Sequence, residues 1–399
     1  MFRKLTERLL LPPGGDQAHS PEPPLELVVP ISHDWTTLGT GGGIETFLKL
    51  LFQYASDWNL RVTVPCTGPR EEWAGSVHFL PIMRTASKEW TFTLRLRREL
   101  RRGTLKIERG SVVVANVEQY AWAFRGMRYP VVLVSHVAQP EQLRLRHTYL
   151  FVRLYQAFIE RPAVIHARRI VVVNPRNKDY YLSRYPELRP GSLVFIPIGL
   201  DTEMLKGRPC GNPWDHLPLP RSADFVLFVG RLYPEKDIQL FIAACDLLQQ
   251  PGSTLHAVVV GKGMQDGVVE DAVATRPWLH WIPNLSQHSD LLDLMAASSV
   301  LAVTSRYEGI PLVLTEAIGL GTPVVSTDVG MARELLRGRL GRVVDSTPSA
   351  FAEGIRDVLA WERADVKKAG QEATPRLDFR TTMDALSSVV RSVAQEVRP

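Results

Sequence analysis

Short, nearly continuous runs of Val, Ile and Leu recur along this chain, each separated from the next by enough residues for a helix and a crossover. The first series comprises LELVVPIS from Leu25, then LRVTVP, SVVVAN, VVLVSHV and RIVVVN, and VFIPIG near residues 194–199 closes it. A loop rich in Pro and Gly, from Gly207 to Arg221, introduces a second series of FVLFVG, LHAVVVG, VLAVTS and PVVSTD. Runs that are apolar on both faces suit parallel strands covered by helices on either side. Helix-like stretches lie between them, among them Glu45–Asp57, Glu141–Glu160, Lys236–Gln250 and Asp290–Ser298. Two successive βαβα arrays imply an α/β chain with two doubly wound parallel-sheet, Rossmann-like domains. The length of 399 residues also exceeds what a single core usually holds. The expected division is a loose Pro- and Gly-rich arm over 1–24, a first domain over 25–200, a second over 201–375 and a closing helical segment over 376–399.

Several function classes are disfavoured by composition. At 45% hydrophobic and 22% charged, with no apolar run near the length of a membrane span, the chain is expected to be a soluble globular protein. The start, MFRKLTERLLLPPGG, breaks its apolar stretch at Pro12 and Pro13 and makes no convincing signal peptide. Cys66, Cys210 and Cys245 are too scattered for a disulfide framework or a metal pattern, so a reducing cytoplasm is the expected location.

Charge is asymmetric. Residues 1–199 hold 27 Lys and Arg against 17 acids, whereas residues 200–399 hold 20 against 25. The local peak runs from Arg84 to Arg109, with nine basic and three acidic residues. Phe92, Leu96 and Leu100 fall four apart there, on one face of a helix ringed by Arg. Such a helix can lie on an anionic membrane surface; an ordinary solvated helix with its stripe on the core has the same pattern.

The sharpest local signal is EGIPLVLTE, in which Glu308 and Glu316 bracket the expected start of a helix. Pro311 suits the first helical position, where its missing N–H would be unpaired anyway. Val300 to Thr304 is expected to be a buried strand before it, and Pro323 to Ser326 another after it. A helix start attracts phosphate through its unpaired amides and dipole. An anion site beside two acids points to a phosphorylated sugar or nucleotide. An acid at a helix start can equally be a plain cap, and a mid-helix Glu is often solvated. In FVGRLYPEKD, after the first strand of the second domain, Arg231 offers a bidentate guanidinium and Lys236 a compact ammonium for phosphate oxygens.

The run TSRYEGIPLVLTEAIGLGTPVVSTDVGMARELL closely resembles the donor-binding signature of the family 4 glycosyltransferases, which are retaining, nucleotide-sugar-dependent enzymes with the GT-B fold. The resemblance is dense over 226–336 and looser, though ordered, over 26–201. It implies two Rossmann-like domains facing across a cleft that closes on the donor, with the C-terminal helix returning to the first domain. It assigns Arg231 and Lys236 to the diphosphate, Glu308 to the neighbourhood of the transferred sugar and Glu316 to ribose hydroxyls. The amides of Gly309, Ile310, Pro311, Leu312 and Val313 form the expected phosphate loop, of which Pro311 can supply no N–H. Gly261 and Lys262 resemble the loop lining the nucleotide, and Pro283–Asn284 the segment over the base. In LGTGGGIETFLKLL, Gly42, Gly43 and Glu45 match the family's glycine loop, although a glycine triplet by itself is also an ordinary turn. His136, at the end of VVLVSHV, matches a His that reaches the donor sugar; a structural role fits a strand-end His equally well.

The chain departs from the pattern at the interdomain junction, where Ile198-Gly199-Leu200-Asp201 replaces Asn-Gly-Val-Asp, and at Asn174-Pro175, where a Ser is common. There is no Asp-x-Asp motif and the histidines lack metal-ligand spacing, so no metal and no cofactor are expected. The expected function is retaining transfer of a hexose-type sugar from a nucleotide-diphosphate sugar to a glycan or lipid-linked acceptor, in polysaccharide or glycolipid biosynthesis. The protein would be cytoplasmic, with residues 84–109 on the inner membrane face, and would have no nucleic-acid partner. A non-catalytic GT-B adaptor of another transferase and a nucleotide-sugar epimerase are the competing readings.

Overall fold

A computed structural model describes residues 23–37, 43–85, 88–136, 148–205, 212–217, 219–220, 223–309 and 311–397. The chain divides into two compact units, Met1–Ile198 with Arg380–Pro399, and Gly199–Phe379. Among the described residues no helix is long and apolar enough to cross a membrane.

The first unit is built on eight strands: β1 (Leu25–Val28), β2 (Leu60–Thr67), β3 (Glu72–Ala74), β4 (Val77–Met83), β5 (Val112–Ala115), β6 (Val131–Ser135), β7 (Arg169–Val172) and β8 (Leu193–Phe195). Their order is β3-β4-β2-β1-β5-β6-β7-β8, and all neighbours are parallel except the β3–β4 pair. Every residue of β5 and β6 is buried, which is why these runs are Val-rich rather than alternating. The missing signals were at the edge: β3 and β4 are absent from the sequence reading, because a short hairpin at a sheet margin lacks a continuous apolar run.

The basic helix forms over Glu89–Arg102, with Gly103 in a left-handed conformation as its stop. Phe92 and Leu96 are fully buried in the core, and Leu100 packs against the same cluster. The helix therefore keeps its apolar stripe for the fold, and that stripe is not on offer to a membrane surface. What it leaves outside is Leu94 with Arg95, Arg98, Arg101 and Arg102.

The segment expected as one helix over Glu141–Glu160 differs in extent. Residues 141–147 lie outside the described residues, and helical structure runs through Tyr149–Tyr155, a π-turn over Gln156–Glu160, and Arg161–His166. Pro162 cannot donate to a carbonyl of the preceding turn, and the wider π-turn just before it accommodates that loss. The closing helix starts at Phe379 and buries Phe379, Met383, Leu386, Val390 and Val393 along one face. It is tied to the first unit where Trp58 donates its indole N–H to Asp384 at 2.8 Å and Thr382 donates to the Pro197 carbonyl at 2.8 Å.

The second unit holds six strands: β9 (Phe225–Val229), β10 (His256–Val260), β11 (Leu279–Ile282), β12 (Val300–Val303), β13 (Val324–Thr327) and β14 (Gly341–Val344). All are parallel, in the order β11-β10-β9-β12-β13-β14. The winding reverses between β9 and β12, so the loops leaving their C-terminal ends splay apart there. In open α/β sheets that is where ligands bind.

Candidate functional site

The loop after β9 carries Arg231 and Lys236, and the loop after β12 carries Glu308; both leave the sheet at its switch point. Lys236 donates from Nζ to Oε1 of Glu308 in an ion pair that is largely shielded from solvent. Ser305 donates to the same carboxylate oxygen at 2.8 Å. The aliphatic stem of Lys236 runs beside Gly230, with Cδ and Cε 3.6 Å from where a Gly230 side chain would begin.

Asp237 holds this loop in place. It adopts a left-handed conformation (φ 49°, ψ 57°), and its side chain accepts from the Leu240 N–H at 3.3 Å at the start of the helix Ile238–Asp246. Its other oxygen accepts from Arg306 at 2.7 Å, while the Arg306 N–H donates to the Glu235 carbonyl at 2.8 Å. Thr304 donates to the Lys236 carbonyl at 2.9 Å. The two loops are thus sewn together by three separate contacts around the Lys–Glu pair. Arg231 is exposed, with its guanidinium 5.1 Å from the Tyr233 ring centroid.

The loop after β10 closes a third side. A side chain on Gly261 (φ +129°) would start 2.0 Å from the Gly230 carbonyl oxygen, so backbone meets backbone there. Leu232 donates to the Lys262 carbonyl at 3.1 Å, and Trp281 donates to the Gly261 carbonyl at 2.8 Å. The Lys262 side chain is exposed.

The helix after Glu308 spans Leu312–Leu320, and Pro311 is its N-cap (φ −70°, ψ 107°) rather than its first residue. An extended ψ at Pro311 turns the chain in from the loop before the helix begins. Gly309 is buried, and Gly330 (φ +52°) sits so close that a side chain there would start 2.2 Å from the Gly309 carbonyl oxygen. Leu312 and Val313 open the helix, with no side-chain cap on it among the described residues. Ile310 lies outside the described residues. Glu316 is buried in the second turn, and His288 Nε2 lies 3.0 Å from its carboxylate.

In the first unit, Gly43 starts the helix Gly43–Tyr54 and is exposed, while Gly42 lies outside the described residues. Glu45, in its first turn, lies 3.6 Å from His33. His136 follows β6 and is buried, with its Nε2 3.3 Å from the Asn116 Oδ1 and its ring edge-on to Phe47. Burial pushes its pKa down to about 3, so the imidazole is neutral at physiological pH. The Asn116 side-chain nitrogen is buried without a hydrogen-bond partner among the described residues.

The structure therefore gathers Lys236, Glu308, Gly261, Gly309 and Pro311 around one switch point, with Arg231 leaving the same strand end. Sequence reasoning missed Ser305, Asp237, His288 and Gly330. Ser305 and Gly330 stand inside the quoted signature, but their role depends on which loop they face.

Two doubly wound sheets of this kind, each a parallel α/β unit, are the building blocks of the GT-B fold. The profile described as "Glycosyltransferase Family 4" matches residues 41–204, and "Glycosyl transferases group 1" matches residues 215–373. The chain belongs to the family 4 glycosyltransferases. A D-inositol 3-phosphate glycosyltransferase of Nocardioides sp. is 29% identical over 216 residues, covering 49% of this chain and 47% of that protein. The match thus spans about half the length of this curated relative. Sucrose-phosphate synthase from Thermosynechococcus elongatus superposes with a TM-score of 0.75 at 17% identity, covering 92% of this chain and 99% of that one. The Anabaena protein HepE, solved with UDP and glucose, superposes at 0.70 with 18% identity, covering 92% and 100%. These structural likenesses establish the fold.

Proposed function

We propose that this glycosyltransferase is retaining and metal-independent, and moves a hexose-type sugar from a nucleoside diphosphate to a glycan or lipid-linked acceptor. The observation that carries the reading is the Lys236–Glu308 pair at the switch point of the second sheet, next to a helix start with no side-chain cap among the described residues. Lys236 and Arg231 would neutralise the diphosphate as its bond to the sugar breaks, and the amides of the Gly309–Val313 loop would hold its oxygens. Glu308 would turn from Lys236 toward the sugar. Glu316 would take the ribose hydroxyls, and neutral His136 would act as a hydrogen-bonding group rather than a charged acid. The bound UDP in the Anabaena structure puts a uridine nucleotide first among the donors to test, and the Nocardioides relative's name adds inositol 3-phosphate to the acceptors to test beside glycans and lipid-linked sugars.

Contact with an anionic membrane surface is proposed in a restricted form. The exposed arginines of Glu89–Arg102 would attract it by charge alone, since Phe92 and Leu96 are committed to the core.

The test is a thermal-shift panel of uridine, guanosine, adenosine and thymidine diphosphates, with and without EDTA. Binding to the native state alone stabilises it by about 2.7 kcal/mol at a hundred times Kd. One responder, indifferent to EDTA and lost in Arg231→Ala, is the expected result; silence across the panel would sink the donor assignment. The anomeric configuration of the product, read by NMR, then decides retention.

A further inference from the structure

A second cluster of charge lies in the first unit, at the opposite ends of its strands from His136. Arg125 and Arg128 stand in the turn before β6, Arg168 immediately before β7, and Arg189 in the turn before β8. Arg161 and His166 reach the same place from the helix Arg161–His166. All six line one cleft of about 560 Å³. That volume is within the usual range for small-molecule sites, roughly 300–1,000 Å³.

Among the described residues the one carboxylate paired with any of these arginines is Glu187, 2.8 Å from Arg161. His166 Nε2 is buried and has no hydrogen-bond partner there. Its pKa is lowered by burial and then by Arg125, Arg168 and Arg189, so it sits among repelling charges. Two of the arginines have a simpler use: Arg125 and Arg168 follow the ends of short helices, where cations favour the exposed carbonyls. With Arg161 paired to Glu187, that use leaves Arg128 and Arg189 unexplained. Crowded like charge is unfavourable in the empty protein and is relieved when an anion enters. Guanidinium groups suit phosphate because they present paired donors in a plane.

We propose that this cleft binds a phosphate ester carrying two or more negative charges, at a site separate from the switch point of the second unit. The shared chemistry is the phosphate group, whether on a soluble molecule or on a lipid headgroup. Neither the nucleotide chemistry of the second unit nor the arginines of Glu89–Arg102 take part.

The test uses the full chain with Arg231→Ala and Lys236→Ala already introduced, so that the proposed donor site is weakened. Hydrogen exchange is followed at fixed ionic strength while inorganic pyrophosphate is added. Protection of segments 125–130 and 161–169 is expected, lost at least tenfold in affinity on adding Arg168→Ser and Arg189→Ser. The charge-preserving pair Arg168→Lys and Arg189→Lys should bind between the parent and the Ser pair, because the charge stays and the paired donors go, which separates a binding role from a folding defect. In a second arm, sedimentation with vesicles of phosphatidylglycerol in phosphatidylcholine is measured for the same variants. Retention that pyrophosphate competes away and that Arg168→Ser and Arg189→Ser abolish assigns a headgroup; pyrophosphate protection without retention assigns a soluble ester. Absence of both effects, or protection that ignores the Arg168→Ser and Arg189→Ser changes, overturns the proposal.

Discussion

Lys236 and Glu308 are 72 residues apart in the chain and form one hydrogen-bonded ion pair. The pair joins the loops leaving the two central strands of the second sheet, so the ammonium proposed for the diphosphate is paired with an acid. The two partners then compete for different things. Lys236→Ala should weaken nucleoside diphosphate binding about tenfold and lower kcat by about 10²–10³, the usual cost of one preorganised charge donor. Glu308→Gln should abolish transfer to a similar degree yet tighten the bare diphosphate several-fold, because Lys236 is released. Calorimetric titration beside an activity assay checks both; equal weakening by both variants would contradict the competition.

Glu316 is proposed to read ribose. Glu316→Gln should therefore weaken a nucleoside diphosphate by about tenfold, roughly the worth of one hydrogen bond to a charged group. It should leave inorganic pyrophosphate at the same site nearly unchanged. Comparing the two ligands by titration separates the role from general damage to the helix Leu312–Leu320.

Gly261 allows the backbone of the loop after β10 to touch Gly230. Gly261→Ala meets both a positive φ and a 2.0 Å approach to a carbonyl oxygen, so it should cost more than about 1 kcal/mol. Urea unfolding should show a lower midpoint with an unchanged slope, and nucleotide affinity should fall with it because the loop carrying Arg231 is displaced.

Leu96→Ala should destabilise the protein by about 2–5 kcal/mol, as for other fully buried leucines. Replacing exposed Arg98, Arg101 and Arg102 with Ala should leave unfolding nearly unchanged and reduce binding to anionic vesicles at low salt. If the arginine changes leave vesicle binding intact, this helix is not the membrane contact.

A buried acid network makes stability depend on pH. Tyr180 and Tyr185 donate to Glu160 Oε2 at 2.9 and 2.7 Å, and Tyr155 and Tyr181 donate to Glu118 at 3.2 and 2.8 Å. Burial, and then Glu118, raise the Glu160 carboxyl to about 8 from an unfolded value of 4.5. The folded state therefore holds more protons, and this contribution is full below about pH 4.5 and lost as pH rises to about 8. Glu160→Gln does not titrate, so its melting temperature should rise relative to the parent protein between those limits. His136 acts in the opposite direction, adding stability as pH climbs from about 3 to 6.5, but it is present in both proteins and cancels in the difference. Thermal melts at matched ionic strength across that range measure it.

The strands that the sequence marks clearly are those covered on both faces, such as β5, β6, β9, β10 and β12. There a strand must be apolar at consecutive positions, and that leaves a visible run. The strands β3, β4, β11 and β14 lie at or beside sheet margins, with partly exposed positions and no such run. The helix over Glu89–Arg102 shows a different limit. Its four-residue apolar spacing is legible, but spacing alone says nothing about whether the stripe meets a core or a lipid.

By itself, the order of apolar runs determined two parallel α/β units, and the resemblance to the family 4 signature singled out Arg231, Lys236, Glu308 and Glu316. The runs follow from short-range rules of burial, whereas the four side chains stand out only as members of a longer pattern. Only the tertiary structure decided that Lys236 is held by Glu308, that Glu316 is met by His288, and that Arg125, Arg128, Arg161, Arg168 and Arg189 share one cleft. The physical reason is strand order. Which loops leave a sheet side by side depends on pairing between distant segments, and that pairing brings together residues whose sequence separation carries no sign of it.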